Sequence, residues 1–208
     1  KAAAELAIAS WRASFCGIGR HQTPHLAIAT ARAGNVIGGG DWSEDRIVPD
    51  AMRALASGQP ISVRSPDATR PWQHVLEPLS GYLNLAISLS ESADLHGEPF
   101  NFGPPADQNN SVGSLVNQMS QYWDQVRWQD VSAGEEGPYE TGLLKLNCDK
   151  ALHHLKWRAI WNFEQTVKAT VDWYRSFYEQ PVSILEQTNR QIACYQKDAR
   201  TLGLAWAQ

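Results

Sequence analysis

Residues 26–32 run straight into Gly34-Asn35-Val36-Ile37-Gly38-Gly39-Gly40-Asp41-Trp42, and this junction restricts the fold more than any other part of the sequence. The first part is short, apolar and rich in Ala, Ile and Thr. It suits a buried strand of a parallel sheet better than a helix of that length. The second part holds four glycines, so it reads as a loop. In α/β sheets ligands sit outside the carboxyl ends of the strands, which makes this loop the expected place of a binding site.

The rest of the chain reads as mixed α/β. Residues 1–16 predict an amphipathic helix closed by Gly17 and Gly19. A helix over 49–56 is stopped by Ser57-Gly58-Gln59-Pro60 and followed by a strand over 61–64; residues 66–71 read as another loop. Helices are expected over 78–90 and 111–123, the latter capped by Ser111. Strands are expected over 100–103 and 126–131. The final third is helical, over 149–155, 163–178 and 182–197, with Trp173 and Phe177 beside Val167 and Thr170 as a core-facing stripe. This order starts in the middle of a parallel sheet and ends in a smaller, more irregular lobe.

With 43% hydrophobic and 19% charged residues among 208, the chain is long enough for one large or two small soluble domains. A net charge of -4 gives no electrostatic footprint for nucleic acid or an anionic membrane. Cys16, Cys148 and Cys194 are widely spaced, without metal-ligand or disulfide pattern, so a reducing cytoplasm is the expected compartment. The apolar runs are too short to span a bilayer, and no signal peptide precedes them. Lys1 opens directly onto Ala2-Ala3-Ala4-Glu5, with no cap or lead-in loop. The sequence thus reads as opening inside a helix, either at a processed terminus or with an upstream domain absent.

Several residues could carry chemistry. Lys1 is a solvated helix lysine on the plain reading. Reductase folds also use a helix lysine four residues after a tyrosine, one turn apart on one face, to lower the phenol's pKa and bind a cofactor ribose. Asn35 is either a turn residue or an amide aimed at a diphosphate or sugar oxygen. Arg46 and Arg70 lie in loops; Arg70 is wedged in Thr69-Arg70-Pro71-Trp72, which suits bidentate capture of a phosphate. Trp42, Trp72, Trp128, Trp157 and Trp161 could stack on bases or sugars, although most of nine tryptophans belong in a core. His74 and Glu77 read as a packed ring and a helix-start carboxylate rather than an acid/base pair. His153 and His154 point to different faces of a helix, and no metal site is expected.

Residues 31–42 and 44–50 resemble the segment after the sixth strand of extended short-chain dehydrogenases/reductases acting on nucleotide sugars. The run 64–82, with Arg70-Pro71-Trp72-Gln73-His74-Val75-Leu76-Glu77, is similar to the CDP-glucose 4,6-dehydratase family in particular. Asn101-Phe102-Gly103-Pro104 and 144–157 continue the resemblance. It implies the C-terminal part of a Rossmann-type parallel sheet plus a smaller mixed α/β substrate-binding lobe. Residues 1–45 would be a remnant of the NAD-binding domain and 46–208 the nucleotide-sugar lobe, with about 65–92 returning to the first domain. It further implies Lys1 as catalytic and cofactor-binding, and Ala33 and Gly34 beside the nicotinamide of NAD. Asn35 and Arg70 would hold the substrate diphosphate, with Arg46, Ile47, Val48, Val63 and Asn101 around the nucleotide. Tyr139 stands near the nucleotide sugar where similar proteins have His; Leu143, Asn147, Lys156 and Ala159 stand for Tyr, Asp, Gly and Pro.

The implied reaction removes the C4 hydride of CDP-glucose to NAD, eliminates water across C5–C6 and returns the hydride to C6. Its product would serve deoxysugars of surface polysaccharide. The glycine-rich dinucleotide loop and the catalytic tyrosine are not in this sequence, so the expectation is a fragment that is inactive alone. A homodimer through the first helix, with Leu6, Ile8 and Trp11, is also expected. The alternatives are a related epimerase, decarboxylase or dTDP-glucose dehydratase, a non-catalytic nucleotide-sugar-binding module, or an interaction scaffold.

Overall fold

The computed structural model describes residues 2–16, 26–132, 141–179 and 183–208. In chain order these form α1 (Ala2–Phe15), β1 (Thr30–Ala33), β2 (Asn35–Ile37), α2 (Ile47–Ala56), β3 (Ile61–Val63), β4 (Thr69–Arg70), β5 (Trp72–His74) and α3 (Leu76–Glu91). There follow β6 (Pro99–Phe102), β7 (Asn110–Ser111), α4 (Val112–Tyr122), β8 (Trp128–Asp130), α5 (Asp149–Leu155), α6 (Phe163–Glu179) and α7 (Ile184–Thr201). Gly17 and Gly19 lie outside the described residues.

Strands pair in twos: β1 with β6, β2 with β5 and β3 with β8 in parallel, and β4 with β7 antiparallel. The predicted strand over 26–32 begins only at Thr30. Before that, Ile28 is tied to a turn, accepting from the Gly97 N–H and donating to the His96 Nδ1, rather than to a ladder. The predicted glycine loop is itself half strand, since Asn35, Val36 and Ile37 pair with Trp72, Gln73 and His74. Glycine content argued against a strand there, but a parallel partner nearly forty residues on supplies the hydrogen bonds that local propensity could not foresee. The predicted loop over 66–71 is likewise broken by β4.

Among the described residues burial gathers around two larger apolar clusters and a small third one at the end of α7, of Ala199, Leu204 and Ala207. The largest packs α2, α4 and α6 together through Met52, Leu115, Met119, Trp123, Val171 and Tyr174. The second lies between α3, β6 and α5, where Phe102 and Trp157 meet edge to face at 4.9 Å. Ser111 caps α4 as expected, its Oγ accepting from the Ser114 N–H at 3.1 Å. The α6 stripe is narrower than its spacing suggested. Trp173 is buried while Phe177 is 48% exposed, its ring stacked on the outer side of Trp173.

Lys156 ends α5 in the left-handed region, at φ 51° and ψ 24°. The family resemblance leads to an expectation of Gly at this place, and a side chain with a Cβ is strained there by roughly 1 kcal/mol or more. Lys156→Gly is therefore expected to raise the unfolding free energy by about 1 kcal/mol in urea titrations. An unchanged or lower midpoint would mean that the Lys156 Nζ bond to the His153 carbonyl, 2.8 Å long, outweighs the backbone strain.

Candidate functional site

The carboxyl ends of β1 and β2, the start of α2, and strands β3 to β5 enclose a cleft of about 810 Å³. Ala33, Gly34, Asn35, Arg46, Ile47, Val48, Val63 and Arg70 all line it. Residues separated by up to 37 positions in sequence are thus brought to one concavity. Lys1 and Tyr139 lie outside the described residues.

Each wall is held by contacts that follow from its residues. The loop after β2 is fixed from two sides. The Tyr174 hydroxyl donates to the Asp41 carbonyl at 2.5 Å, and Arg53 donates to the Trp42 and Ser43 carbonyls at 3.0 Å. That places Asp45, at φ 58°, and Arg46 at the entry to α2. Arg46 is the N-cap residue, extended at φ -120°, and its side chain caps nothing. The first turn of α2 therefore presents its N-terminus, with the positive end of the helix dipole, among the lining residues.

Arg70 is 8% exposed, and its Nη1 donates to the Thr69 and Thr141 carbonyls, both at 2.8 Å. The segment after residue 140 is sewn along β4 by the Thr69 N–H, which donates to the Gly142 carbonyl at 2.8 Å. This run also carries Leu144 and Leu146 to the cleft wall. The guanidinium is thus fixed in direction before any ligand arrives, the condition for capturing a phosphate without an ordering cost.

Asn101 does not line the cleft. Its Oδ1 accepts from Arg32 Nη1 at 3.2 Å and its Nδ2 donates to the Asn147 carbonyl at 3.0 Å. The amide serves instead to hold Arg32, which does line the cleft and is also ion-paired with Glu5 of α1. Arg32 and Arg64 are the cationic lining residues that the sequence reading passed over. A charged residue inside a strand of a parallel sheet is the signal that could have found Arg32.

Trp72 lines the cleft, with its Nε1 donating to the Asn110 carbonyl at 3.1 Å. Trp157 and Trp161 are buried, and Trp42 packs with Tyr174, Phe177 and Tyr178 away from the lining. His74 and Glu77 are packed groups, as the plainer reading held. Burial pushes the His74 imidazole down to about 4 and raises the Glu77 carboxyl to about 7 against the lowering effect of its hydrogen bonds to Trp161, Ile160 and Tyr195. Burial also raises the Cys148 thiol to about 11, which leaves it no thiolate for nucleophilic work. Among the described residues no group of three His, Cys, Asp or Glu could hold a metal, and no helix is long and apolar enough to cross a membrane.

No protein-family profile matches the chain. A curated CDP-glucose 4,6-dehydratase of Salmonella typhimurium strain LT2 is 39% identical over 178 residues, covering 85% of this chain and 49% of that protein. The chain thus spans about half the length of the curated relative it matches. Among solved structures, dTDP-glucose 4,6-dehydratase from Bacillus anthracis in complex with NAD aligns with a TM-score of 0.62 at 17% identity, over 86% of this chain and 51% of the other. UDP-glucose 4-epimerase from Thermotoga maritima with UDP-glucose gives 0.64 at 18%, over 86% and 53%. At such identities the likeness is one of fold. The chain has the mixed α/β, parallel-paired architecture of part of these Rossmann-type proteins.

Proposed function

We propose that this chain is the nucleotide-sugar-binding portion of an NAD-dependent CDP-glucose 4,6-dehydratase acting in the cytoplasm in deoxysugar formation. The observation that carries the reading is the convergence of eight residues, from Ala33 to Arg70, on one cleft, together with the similarity to a curated dehydratase over 85% of the chain.

In this reading the diphosphate lies between Arg70 and the N-terminus of α2, where a directed guanidinium and unpaired helix amides both favour an anion. Asn35 orients a phosphate or sugar oxygen from the start of β2. Arg46, Ile47, Val48 and Val63 form the nucleotide end. Ala33 and Gly34 present nothing larger than a methyl group, which fits a flat cofactor ring lying against the backbone; they and Lys1 would hold NAD. When bound, NAD supplies a reversible hydride acceptor. Residues 1–45 and about 65–92 would belong to the cofactor-binding domain and the rest to the substrate lobe, and the assembled enzyme would be a homodimer through α1.

The test is CDP-glucose binding by calorimetry, with dTDP-glucose as comparison and Arg70→Ala as the variant. CDP-glucose should bind in preference to dTDP-glucose. The Arg70→Ala Kd should rise roughly 10–30-fold, the weight of about 1.5–2 kcal/mol for hydrogen bonds to a charged group. An Arg70→Ala chain that keeps its fold and its affinity removes the diphosphate role, and tighter binding of dTDP-glucose removes the CDP-sugar assignment.

A further inference from the structure

We infer that Arg64 reads the base of the nucleotide and selects cytosine through two neighbouring acceptors, O2 and N3, on its base-pairing edge. The inference rests on the nucleotide-sugar reading above and adds to it the residue that tells one pyrimidine from another. Arg64 follows β3 directly, at the bend where the chain leaves the strand. It is exposed and lines the cleft, and among the described residues it makes no hydrogen bond or ion pair. Arg32 and Arg70, by contrast, are already engaged, the first by Glu5 and Asn101 and the second by the Thr69 and Thr141 carbonyls. The donors of Arg64 are left for a ligand. Its surroundings suit a flat ring better than a phosphate. Val48, Ile61, Val63 and Val112 belong to one apolar cluster, with Ile47 packed against it, and all five reach the cleft wall. A pyrimidine is apolar on its faces and polar on its edge, so this wall takes a face and the adjoining arginine meets the edge. Arg46 also lies open, but it stands at the N-terminus of α2, where the helix dipole favours the charged diphosphate.

The choice of base follows from the donors that a guanidinium carries. It presents parallel N–H groups in a fixed fork and accepts nothing. Neutral cytosine answers that fork with two adjacent acceptors. Uracil and thymine carry an N3–H between their two carbonyls, so one arm of the fork meets a donor instead. The second hydrogen bond is then lost and two donors face each other without an acceptor, which is the strongest ground on which a site rejects a near-isostere. A lysine at this place would draw no such distinction, because its ammonium is a rotating point charge. Guanine offers a similar pair of acceptors at O6 and N7, so a purine belongs in the test beside the pyrimidines.

Calorimetry of the full chain with CDP, UDP, dTDP and GDP tests this near neutral pH, on the wild type, Arg64→Ala, Arg64→Lys and Arg46→Ala, with circular dichroism as the check on folding. The wild type should bind CDP roughly 10–100-fold more tightly than UDP or dTDP, the weight of one bidentate base contact. Arg64→Ala should abolish that ratio by weakening CDP while UDP and dTDP stay nearly unchanged, and Arg64→Lys should not restore it. Arg46→Ala should weaken all the diphosphates alike and keep the ratio. 3-Deaza-CDP, in which a C–H replaces N3, should bind the wild type more weakly than CDP does and bind Arg64→Ala as CDP does. Equal weakening of CDP and UDP in Arg64→Ala makes the residue a plain phosphate cation and overturns the proposal. So does a CDP preference that survives Arg64→Ala, one that is lost in Arg46→Ala, or tighter binding of GDP than of CDP by the wild type. These four results leave the diphosphate role of Arg70 standing. A wild type that binds none of the nucleotides removes the nucleotide-sugar reading, and the role of Arg64 with it.

Discussion

Glu77→Ala is expected to cost the fold about 3–5 kcal/mol, the loss that follows from stranding the partners of a buried charged group. Glu77 is 0% exposed. Its Oε1 accepts from the Trp161 N–H at 2.7 Å, and both oxygens lie within 3.1 Å of the Ile160 N–H. Its Oε2 accepts from the Tyr195 hydroxyl at 2.8 Å. Ser80 sits beside this group, 2.9 Å from the Tyr195 hydroxyl and 3.0 Å from the indole N–H that Trp157 donates to it. One carboxylate thus joins the start of α3, the segment before α6, and α7. Alanine leaves two backbone donors with no acceptor, and the Tyr195 phenol with the Ser80 hydroxyl alone, in a buried site. Glu77→Gln keeps the shape and one acceptor, and should lose about 2 kcal/mol. Urea titration of the three proteins measures both values. A loss under 1 kcal/mol for alanine would mean that water or another acceptor reaches those donors.

The same group gives the stability a pH dependence whose sign can be worked out. The Glu77 carboxyl is raised to about 7 from 4.5 by burial, so between those values the native state holds a proton that the unfolded chain has lost. Its contribution is complete below pH 4.5 and is lost as pH rises to 7. His74, lowered by burial to about 4 from 6.5, works in the opposite sense: its contribution is complete above pH 6.5 and is lost as pH falls to 4. The two slopes offset one another between about pH 4.5 and 6.5. Glu77→Gln removes one of them. Its midpoint should therefore climb from pH 4.5 to 6.5 while the wild-type midpoint stays comparatively level. Parallel curves for the two proteins would show that Glu77 does not titrate in this range.

The cleft was legible in part from the residues themselves, since the glycines after residue 33 mark a loop at a strand end and Thr69-Arg70-Pro71-Trp72 confines Arg70. Ala33, Ile47, Val48 and Val63 came only from the family resemblance. Residues 33–35 close a strand and 46–48 open a helix, while Arg70 is confined by its neighbours Thr69 and Pro71. What the sequence could not supply was the pairing. Asn35-Val36-Ile37 looks like loop until Trp72-Gln73-His74 is laid beside it. Asn101 shows the same limit at the level of a side chain. Alternation with Phe100 and Phe102 turns it away from their buried face, but Arg32 and Asn147 decide that its amide is already engaged. Phe177 keeps the spacing of a core residue, yet the width of the buried face is set by what α7 and α2 leave uncovered. Local spacing names a face; only the packed neighbours set its edge.

Gly34→Ala should weaken both the fold and the cleft, by about 2–3 kcal/mol in stability and more than tenfold in CDP-glucose affinity. Gly34 lies between β1 and β2, with its N–H donated to the Phe102 carbonyl at 3.3 Å. A Cβ there would lie 2.7 Å from Pro71 Cγ and 2.8 Å from the Pro71 carbonyl oxygen. Neither can swing aside, because one is a ring carbon and the other is backbone between β4 and β5. The clash must move the chain at Pro71, and Arg70 is the residue next to it. Any such shift pulls the guanidinium from its carbonyl anchors at Thr69 and Thr141 and reorients the cationic wall of the cleft. Stability and affinity can be separated with Leu155→Ala, which opens a cavity in the α3–α5 cluster, lines no part of the cleft and should cost about 2–5 kcal/mol. Compared under conditions where both variants are folded, Leu155→Ala should bind CDP-glucose as the wild type does and Gly34→Ala should not. Equal affinity in the two would mean that Pro71 yields without moving Arg70, and that the close approach at Gly34 serves packing alone.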